Sequence, residues 1–415
     1  MHKRVVVTGM GLISPLGRDL DTFWDAIRQS KCAIDRISLF DPERTDAKVA
    51  AEIKGFNAED HWERRDASRM ARFSQFAVLA SRSAWKHAGL DDFTELDRHR
   101  VSTMIGNGIG GIEIDTMGQQ KLFAKGPKRI PAMTIPKMIV NEGAGNVAMD
   151  LKIYGAAHTL VTACASGSDA IGHALDMIRV GRADVVLTGG TEASITEYAI
   201  GGFCSLKALS TNFNDEPKRA SRPFDKDRDG FVMGEGAGML IFESLEHAQR
   251  RGATIYAEVG GYGGTADAFH LTAPDPEGDG ASRAIKLAIQ DAGLKPEDID
   301  YVNAHGTSTP VNDPTETKAI KTAFGEHAYK LKVSSTKGMM GHCIGAAGAL
   351  ETITCIHAIR DGFFPATINH DEPDPACDLD YVPHVGQEGT IRAAVSTSLG
   401  FGGHNGAVLV KKFEE

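Results

Sequence analysis

Residues 160–175 read LVTACASGSDAIGHAL, and residues 332–350 read KVSSTKGMMGHCIGAAGAL. In each stretch a short β-branched strand runs into a turn and then into a helix of small residues. The likeness extends outward in order. AWKHAGL…RVSTMIGNGIGG (84–111) matches AIQDAGL…IDYVNAHGTST (288–309), each a helix ending in Ala-Gly-Leu, then a strand, then a glycine-containing loop. GRADVVLTGG (181–190) pairs with IRAAVSTSLGFGG (391–403). Three pairs kept in order predict two halves of similar topology, residues 1–252 and 253–415. Apolar strands at Arg4–Thr8, Val101–Ile105, Thr159–Thr162, Asp184–Thr188, Gly238–Phe242, Ile255–Val259, Ile299–Asn303 and Ala393–Ser398 alternate with helical segments. Continuous apolar strands between helices predict an α/β protein with its sheet covered on both faces. The run GAAGAL (345–350) is small and apolar all round, which predicts a helix buried between close neighbours.

Composition narrows the function classes. The chain has 415 residues, 42% hydrophobic and 24% charged, an ordinary globular balance that excludes disorder as the main state. No apolar run reaches the ~18 residues of a membrane-spanning helix. The start, MHKRVVVTGMGLISP, is basic, but its apolar stretch is short and lacks a small-residue cleavage site, so it reads as a first strand. Six cysteines with no CxxC pair and no secretory signal predict reduced thiols and a cytoplasmic protein. Lys and Arg number 45 against 55 Asp and Glu, a net charge of −10 that argues against a general binder of nucleic acid or anionic membranes. Glycine supplies 46 residues, well above the usual ~7%.

Four places carry possible chemistry. Cys164 sits at a strand-to-helix turn, where unpaired N–H groups and the helix dipole lower a thiol pKa and can hold an oxyanion. It is a nucleophile or a buried structural cysteine. His305 is delivered by a strand end into a Gly/Thr/Ser/Pro loop, the usual place for an α/β site, though a loop histidine bonded to a hydroxyl fits as well. Lys337 and His342 lead into the small-residue helix, with Glu351 toward its far end. Lysine and histidine are costly there unless used or paired, and a fold-fixing Lys–Glu pair is the alternative. SLGFGGHNG (398–406) is a glycine loop able to cradle phosphate or supply oxyanion N–H groups. GMGLIS (9–14) lacks the third glycine of a dinucleotide fingerprint. No metal site is expected, because His305, His342 and Cys343 lack zinc-type spacing.

Together TACASGS around Cys164, AHGTSTP around His305, SSTKGMMGH around Lys337 and His342, FGGHN (401–405) and RPFDKDRDGFVMGEGAG (222–238) resemble, in order and spacing, the β-ketoacyl-acyl-carrier-protein synthases. The resemblance spans essentially the whole chain. It implies a thiolase-like fold, a duplicated five-layered αβαβα architecture. The Cys–His–His set resembles the elongating branch of type II fatty acid synthesis, and a polyketide ketosynthase or a non-catalytic chain-length subunit is the alternative. The latter loses the nucleophile, which this chain keeps.

By resemblance, Cys164 would take the acyl chain as a thioester. His305 and His342 would promote decarboxylation of the malonyl thioester. The N–H groups of Cys164 and Phe401 would form the oxyanion hole, and Phe401 would gate the thiol. Lys337 and Glu351 would set the charge around His342. Thr307, Thr309, Thr272 and Gly402 would line the substrate path. No cofactor is implied. The implied partners are acyl-carrier protein, through Arg64, Arg65, Arg69 and Lys207 with Arg72 nearby, and a second copy of the chain. No nucleic acid or membrane partner is implied. His404, Ala132, Met133, Gly338 and Met340 depart from the commonest family pattern, and bear on chain length and subtype.

Overall fold

A computed structural model describes residues 3–414. Ten strands form the main sheet: β1 Val5–Ile13, β2 Val101–Gly106, β3 Ala157–Leu160, β4 Val185–Glu192, β5 Gly236–Ser244, β6 Ala257–Ala266, β7 Tyr301–Asn303, β8 Lys332–Ser334, β9 Ala393–Gly400 and β10 His404–Lys411. From the centre outward, one side runs β1-β5-β4-β2-β3 and the other β6-β10-β9-β7-β8. Adding five to each label of the first side gives the second. The parallel and antiparallel pairings also correspond: β2 runs parallel to β3 and β4, and β7 parallel to β8 and β9. Among the described residues, the strand pairing between the two sides is confined to Val6–Glu258 and Val7–Ala257.

Five helices complete the layers: α1 Arg72–His87, α2 Ser166–Arg179, α3 Asp279–Asp291, α4 Asn312–Phe324 and α5 Ala347–Asp361. α1 covers the outer face of the first side, and α3, backed by α4, covers that of the second. α2 and α5 lie between, each touching strands of both sides. α5 is buried along Ala347–Ile359, as the small-residue run predicts. Its length corrects one expectation: the helix continues to Asp361, so Glu351 lies in its first third. The core follows the layers, with one cluster around α2 and α5, one under α1 and one under α3 and α4. The fold is the duplicated αβαβα arrangement.

The glycines of GMGLIS have a packing use. A Cβ on Gly11 would stand 2.3 Å from the Ala80 carbonyl of α1, so only glycine lets strand and helix backbones approach this closely. The one strand of the main sheet not anticipated is β10. The glycine run before it is the turn of a hairpin, with Gly400 paired to His404. Among the described residues, no helix is long and apolar enough to cross a membrane.

Candidate active site

β3 ends at Leu160, and the chain turns through a 3-10 segment, Ala163–Ala165, into α2. The Ser166 hydroxyl donates to the Ala163 carbonyl (2.6 Å) and accepts the Thr162 N–H (2.9 Å), closing the turn. Ala163 sits at φ +51, a left-handed conformation that costs a non-glycine residue energy and projects the next side chain, Cys164, outward. Cys164 is half-buried on the wall of a pocket of about 440 Å³.

His305 follows β7. Its N–H donates to Glu316 Oε1 (2.7 Å) and the Gly306 N–H to Oε2 (2.7 Å), while the Thr397 hydroxyl donates to Oε1 (2.7 Å). This buried carboxylate on α4 fixes the loop that carries the histidine. His342 is held by the 222–238 segment: its N–H donates to the Val232 carbonyl (2.7 Å), and its carbonyl accepts the Gly234 N–H (2.9 Å). Phe231 packs edge-on against its ring at 5.4 Å.

These elements bring the three side chains together. Cys164 Sγ and a ring nitrogen of each of His305 and His342 all lie within 4.8 Å of one another. The two imidazoles stand nearly perpendicular, centroids 5.1 Å apart. Neither ring nitrogen of His342 has a hydrogen-bond partner, and His305 Nδ1 has none. Lys337 Nζ pairs with Glu351 Oε1, both fully buried, in the first turn before His342. Burial first, then the Lys337 charge, holds both histidines well below the usual imidazole range. They are therefore neutral at neutral pH.

The thiol corrects an expectation. Burial pushes Cys164 up to about 12 and outweighs the Lys337 charge and the N–H groups of Phe401 and Cys164, all of which favour thiolate. Placement at a helix start lowers a thiol pKa only when desolvation does not dominate. The resting thiol is protonated, beside neutral imidazoles able to accept its proton.

The 398–406 loop also resolves. Gly402 (φ +90) donates its N–H to the Leu271 carbonyl (2.7 Å), and Gly403 (φ +73) to the Gly400 carbonyl (3.1 Å). With those donors spent, the loop is no phosphate cradle. The Phe401 N–H is left facing the thiol. The Phe401 ring is half-buried on the pocket wall near Phe203 (6.3 Å). His404 lays its ring against Gly402, where a Cβ would come within 3.0 Å of Nε2.

Thr272, Thr307, Thr309 and Lys207 line the same pocket, and the hydroxyls of Thr307 and Thr309 are bonded at 3.0 Å. Gly402 lies outside its lining. Arg64, Arg65 and Arg69 are exposed on and beside a short helix, Arg64–Ala67. Arg72 is different: it forks onto the buried Glu235 carboxylate (2.8 and 2.6 Å) and stacks on Phe56 and Phe76, so it belongs to the fold and is not free for a partner. Ala132 and Met133 are exposed and away from the pocket. Gly338 is tight, its Cβ position 2.9 Å from Ile368, and Met340 fills the central core. Cys343 points its thiol at the carbonyls of Glu235 and Met340, away from the histidines.

Two residues near the centre were missed from sequence. Glu316 has a signal, a carboxylate eleven positions after His305 on a helix that had to pack beside it. Glu192 is fully buried at the end of β4 and accepts N–H groups from Gly108 (2.9 Å) and Gly345 (3.2 Å). Nothing in TGGTE marks it.

The family descriptions "Beta-ketoacyl synthase, N-terminal domain" and "Beta-ketoacyl synthase, C-terminal domain" match residues 2–248 and 256–371. A Staphylococcus aureus (strain COL) protein named 3-oxoacyl-[acyl-carrier-protein] synthase 2 is 50% identical over 413 residues, covering 100% of this chain and 99% of that one. A protein of the same name from Synechocystis is 48% identical over 412 residues, 99% of each chain. A type II polyketide ketosynthase solved with its acyl-carrier protein superposes with a TM-score of 0.91 at 33% identity over the whole of both chains. This chain therefore belongs to the β-ketoacyl synthase family.

Proposed function

We propose that the protein catalyses decarboxylative Claisen condensation of an acyl-acyl-carrier protein with malonyl-acyl-carrier protein, giving 3-oxoacyl-acyl-carrier protein and carbon dioxide, as the elongation step of type II fatty acid synthesis. The observation that carries this reading is the convergence of one thiol and two neutral, unpartnered imidazoles in one pocket. The near-50% relatives named 3-oxoacyl-[acyl-carrier-protein] synthase 2 favour fatty acid elongation over the polyketide alternative.

Acylation begins as an imidazole nitrogen takes the Cys164 proton. The thiolate attacks the acyl thioester carbonyl. The oxyanion is held by the N–H groups of Cys164 and Phe401, donors fixed before reaction and so worth more to the transition state than to the ground state. Collapse expels the carrier thiol, which regains a proton. Malonyl thioester then enters, and His305 and His342 donate to its carbonyl oxygen as carbon dioxide leaves and charge builds there. A dry pocket favours loss of the carboxylate as a neutral gas. The enolate carbon attacks the acyl-cysteine, and the sulfur leaves as thiolate and takes one proton from water, which restores the resting thiol. Lys337, tied to Glu351, keeps both imidazoles neutral. Thr307, Thr309 and Thr272 bond the pantetheine arm, Gly402 shapes the turn beside it, and Phe401 gates the thiol. This chemistry needs no cofactor.

Arg64, Arg65, Arg69 and Lys207 are the proposed carrier contacts. The chain is acidic overall, so an acidic carrier needs a local basic patch. The reading includes a cytoplasmic location and a homodimer. β3 is a sheet edge with β2 as its one neighbour, and the apolar side chains of Val161, Tyr154 and Met149 are exposed beside it. A second copy adding its β3 across a two-fold axis would cover both. The sequence division at 252/253 falls between the two family matches.

The deciding experiment is a condensation assay across acyl-carrier proteins of increasing chain length, with Cys164→Ala beside the parent. The variant should keep its circular dichroism and lose condensation by about 10³-fold or more. A variant that condenses normally would remove the nucleophile assignment. Sedimentation as a monomer would remove the dimer.

A further inference from the structure

We infer that Cys164, His305 and His342 also form a binding site for a soft divalent transition-metal ion, zinc above all, and that the ion inhibits the enzyme by capturing the thiol. Among the described residues, this is the one group of three or more Cys, His, Asp or Glu side chains whose donor atoms lie this close together. Donors around a tetrahedral zinc, with bonds of ~2.0–2.3 Å, stand ~3.3–3.7 Å apart. Side chains within 4.8 Å reach that spacing by small rotations.

Three further features fit a metal. Both nitrogens of His342 and Nδ1 of His305 lack partners, so ligation breaks no hydrogen bond there. The Lys337 ammonium is already paired with the Glu351 carboxylate, which offsets its repulsion of a divalent ion. The pocket leaves room for a water as fourth ligand, the arrangement of three protein donors and one open position that zinc accepts. No carboxylate joins the group, which disfavours magnesium and calcium and favours zinc, cobalt or copper.

The binding step balances: the divalent ion replaces the thiol proton, forming one sulfur–metal bond and releasing one proton to solvent. A sulfur held by metal cannot attack a thioester, so ion and acyl group exclude each other. Binding needs only the three side chains, whereas inhibition rests on the condensation proposed above, so the two are read separately.

The test is titration of the full chain with cobalt(II) chloride alone, followed by absorption, and then with zinc chloride in competition. One ion per chain is expected, with a thiolate-to-cobalt charge-transfer band that zinc abolishes. Cys164→Ala should erase the band and weaken binding about 100-fold or more, and His305→Ala or His342→Ala should each weaken it at least about tenfold. Wild-type protein alkylated at Cys164 with iodoacetamide should also fail to give the band, which covers the case of a variant that does not fold. Zinc should block condensation, and a chelator should restore it. A band that survives in alkylated protein overturns the inference. So does binding unchanged by both histidine replacements, or zinc inhibition with no cobalt band.

Discussion

The two halves share a scaffold and differ at one turn. In each, the connection after the third strand ends in a 3-10 segment that leads into a central helix: Ala163–Ala165 before α2, and Ile344–Ala346 before α5. The first residue of each segment has a positive φ, +51 at Ala163 and +42 at Ile344. The residue that matches Cys164 in the second half is therefore Gly345. Its N–H is capped by Glu192 from the other half, whereas the N–H of Cys164 faces its own thiol and the pocket. A helix start is an anion site. One copy is filled by the protein's own carboxylate, and the other opens on the pocket, where the proposed mechanism places substrate oxygen. The second half instead lengthens the connection, residues 335–346 against 161–165, and uses the added chain to place Lys337 and His342. The two turns match in geometry, and the proposed mechanism uses only one of them.

The largest effect expected from breaking that asymmetry is at Lys337. Lys337→Ala strands a buried Glu351 carboxylate and should cost about 3–5 kcal/mol in urea unfolding at pH 8. The loss should shrink at pH 5, because burial raises the Glu351 pKa and the carboxyl takes up a proton. A cost independent of pH would mean that the pair is not charged. The same change should raise the histidine pKa values. In the parent both folded values lie well below 6.5, so the unfolded chain binds protons first as pH falls. Stability should therefore drop below about pH 6.5. In the variant that drop begins at the same pH and is smaller.

Next come the imidazoles that the second half contributes. His305→Ala and His342→Ala should each slow release of carbon dioxide from malonyl-carrier protein by about 10²–10³-fold, the usual cost of one lost oxyanion donor. Folding should be intact by circular dichroism. Normal carbon dioxide release in either variant would return that histidine to a purely structural role.

The sequence carried the duplication because each repeated feature has a local physical cause. Ala-Gly-Leu is a helix stop, the small-residue runs are buried helices, and the apolar runs are strands covered on both faces. It carried Cys164, His305, Lys337 and His342 because each lies in a contiguous motif that follows a strand end. It did not carry β10, since a glycine loop and a hairpin turn read alike. It misjudged the thiol, because desolvation depends on what the other half packs against it. Arg72 reads as one of four surface arginines until Glu235, 163 residues away, is seen beneath it. Glu192 was invisible for the same reason: its partners, Gly108 and Gly345, come from two other segments.

Glu192 gives a smaller test of the filled turn. Glu192→Ala leaves the buried N–H of Gly345 and the half-buried N–H of Gly108 unpaired and should cost about 1–3 kcal/mol in urea unfolding. The Glu192 charge also opposes the Cys164 thiolate. Its removal should shift the pH profile of iodoacetamide alkylation to lower pH. An unchanged profile would uncouple the two turns.

The smallest effect concerns what the halves still share. α1 ends with Gly89 at φ +65, and α3 with Gly293 at φ +66. In both, the leucine that follows donates its N–H back to the helix, Leu90 to Trp85 (3.3 Å) and Leu294 to Ile289 (3.1 Å). A Cβ at either glycine meets nothing within 4 Å. Alanine therefore adds no clash, and its cost is the left-handed backbone alone, about 1 kcal/mol. Gly89→Ala and Gly293→Ala should lower stability equally, within about 0.5 kcal/mol, in denaturant titrations. Gly11→Ala and Gly263→Ala should cost more, because there the new Cβ would stand 2.3 and 2.0 Å from a helix carbonyl. Unequal costs for the two caps would mean that the halves have diverged even where their geometry agrees, and that the matching φ values conceal different neighbours in the unfolded chain.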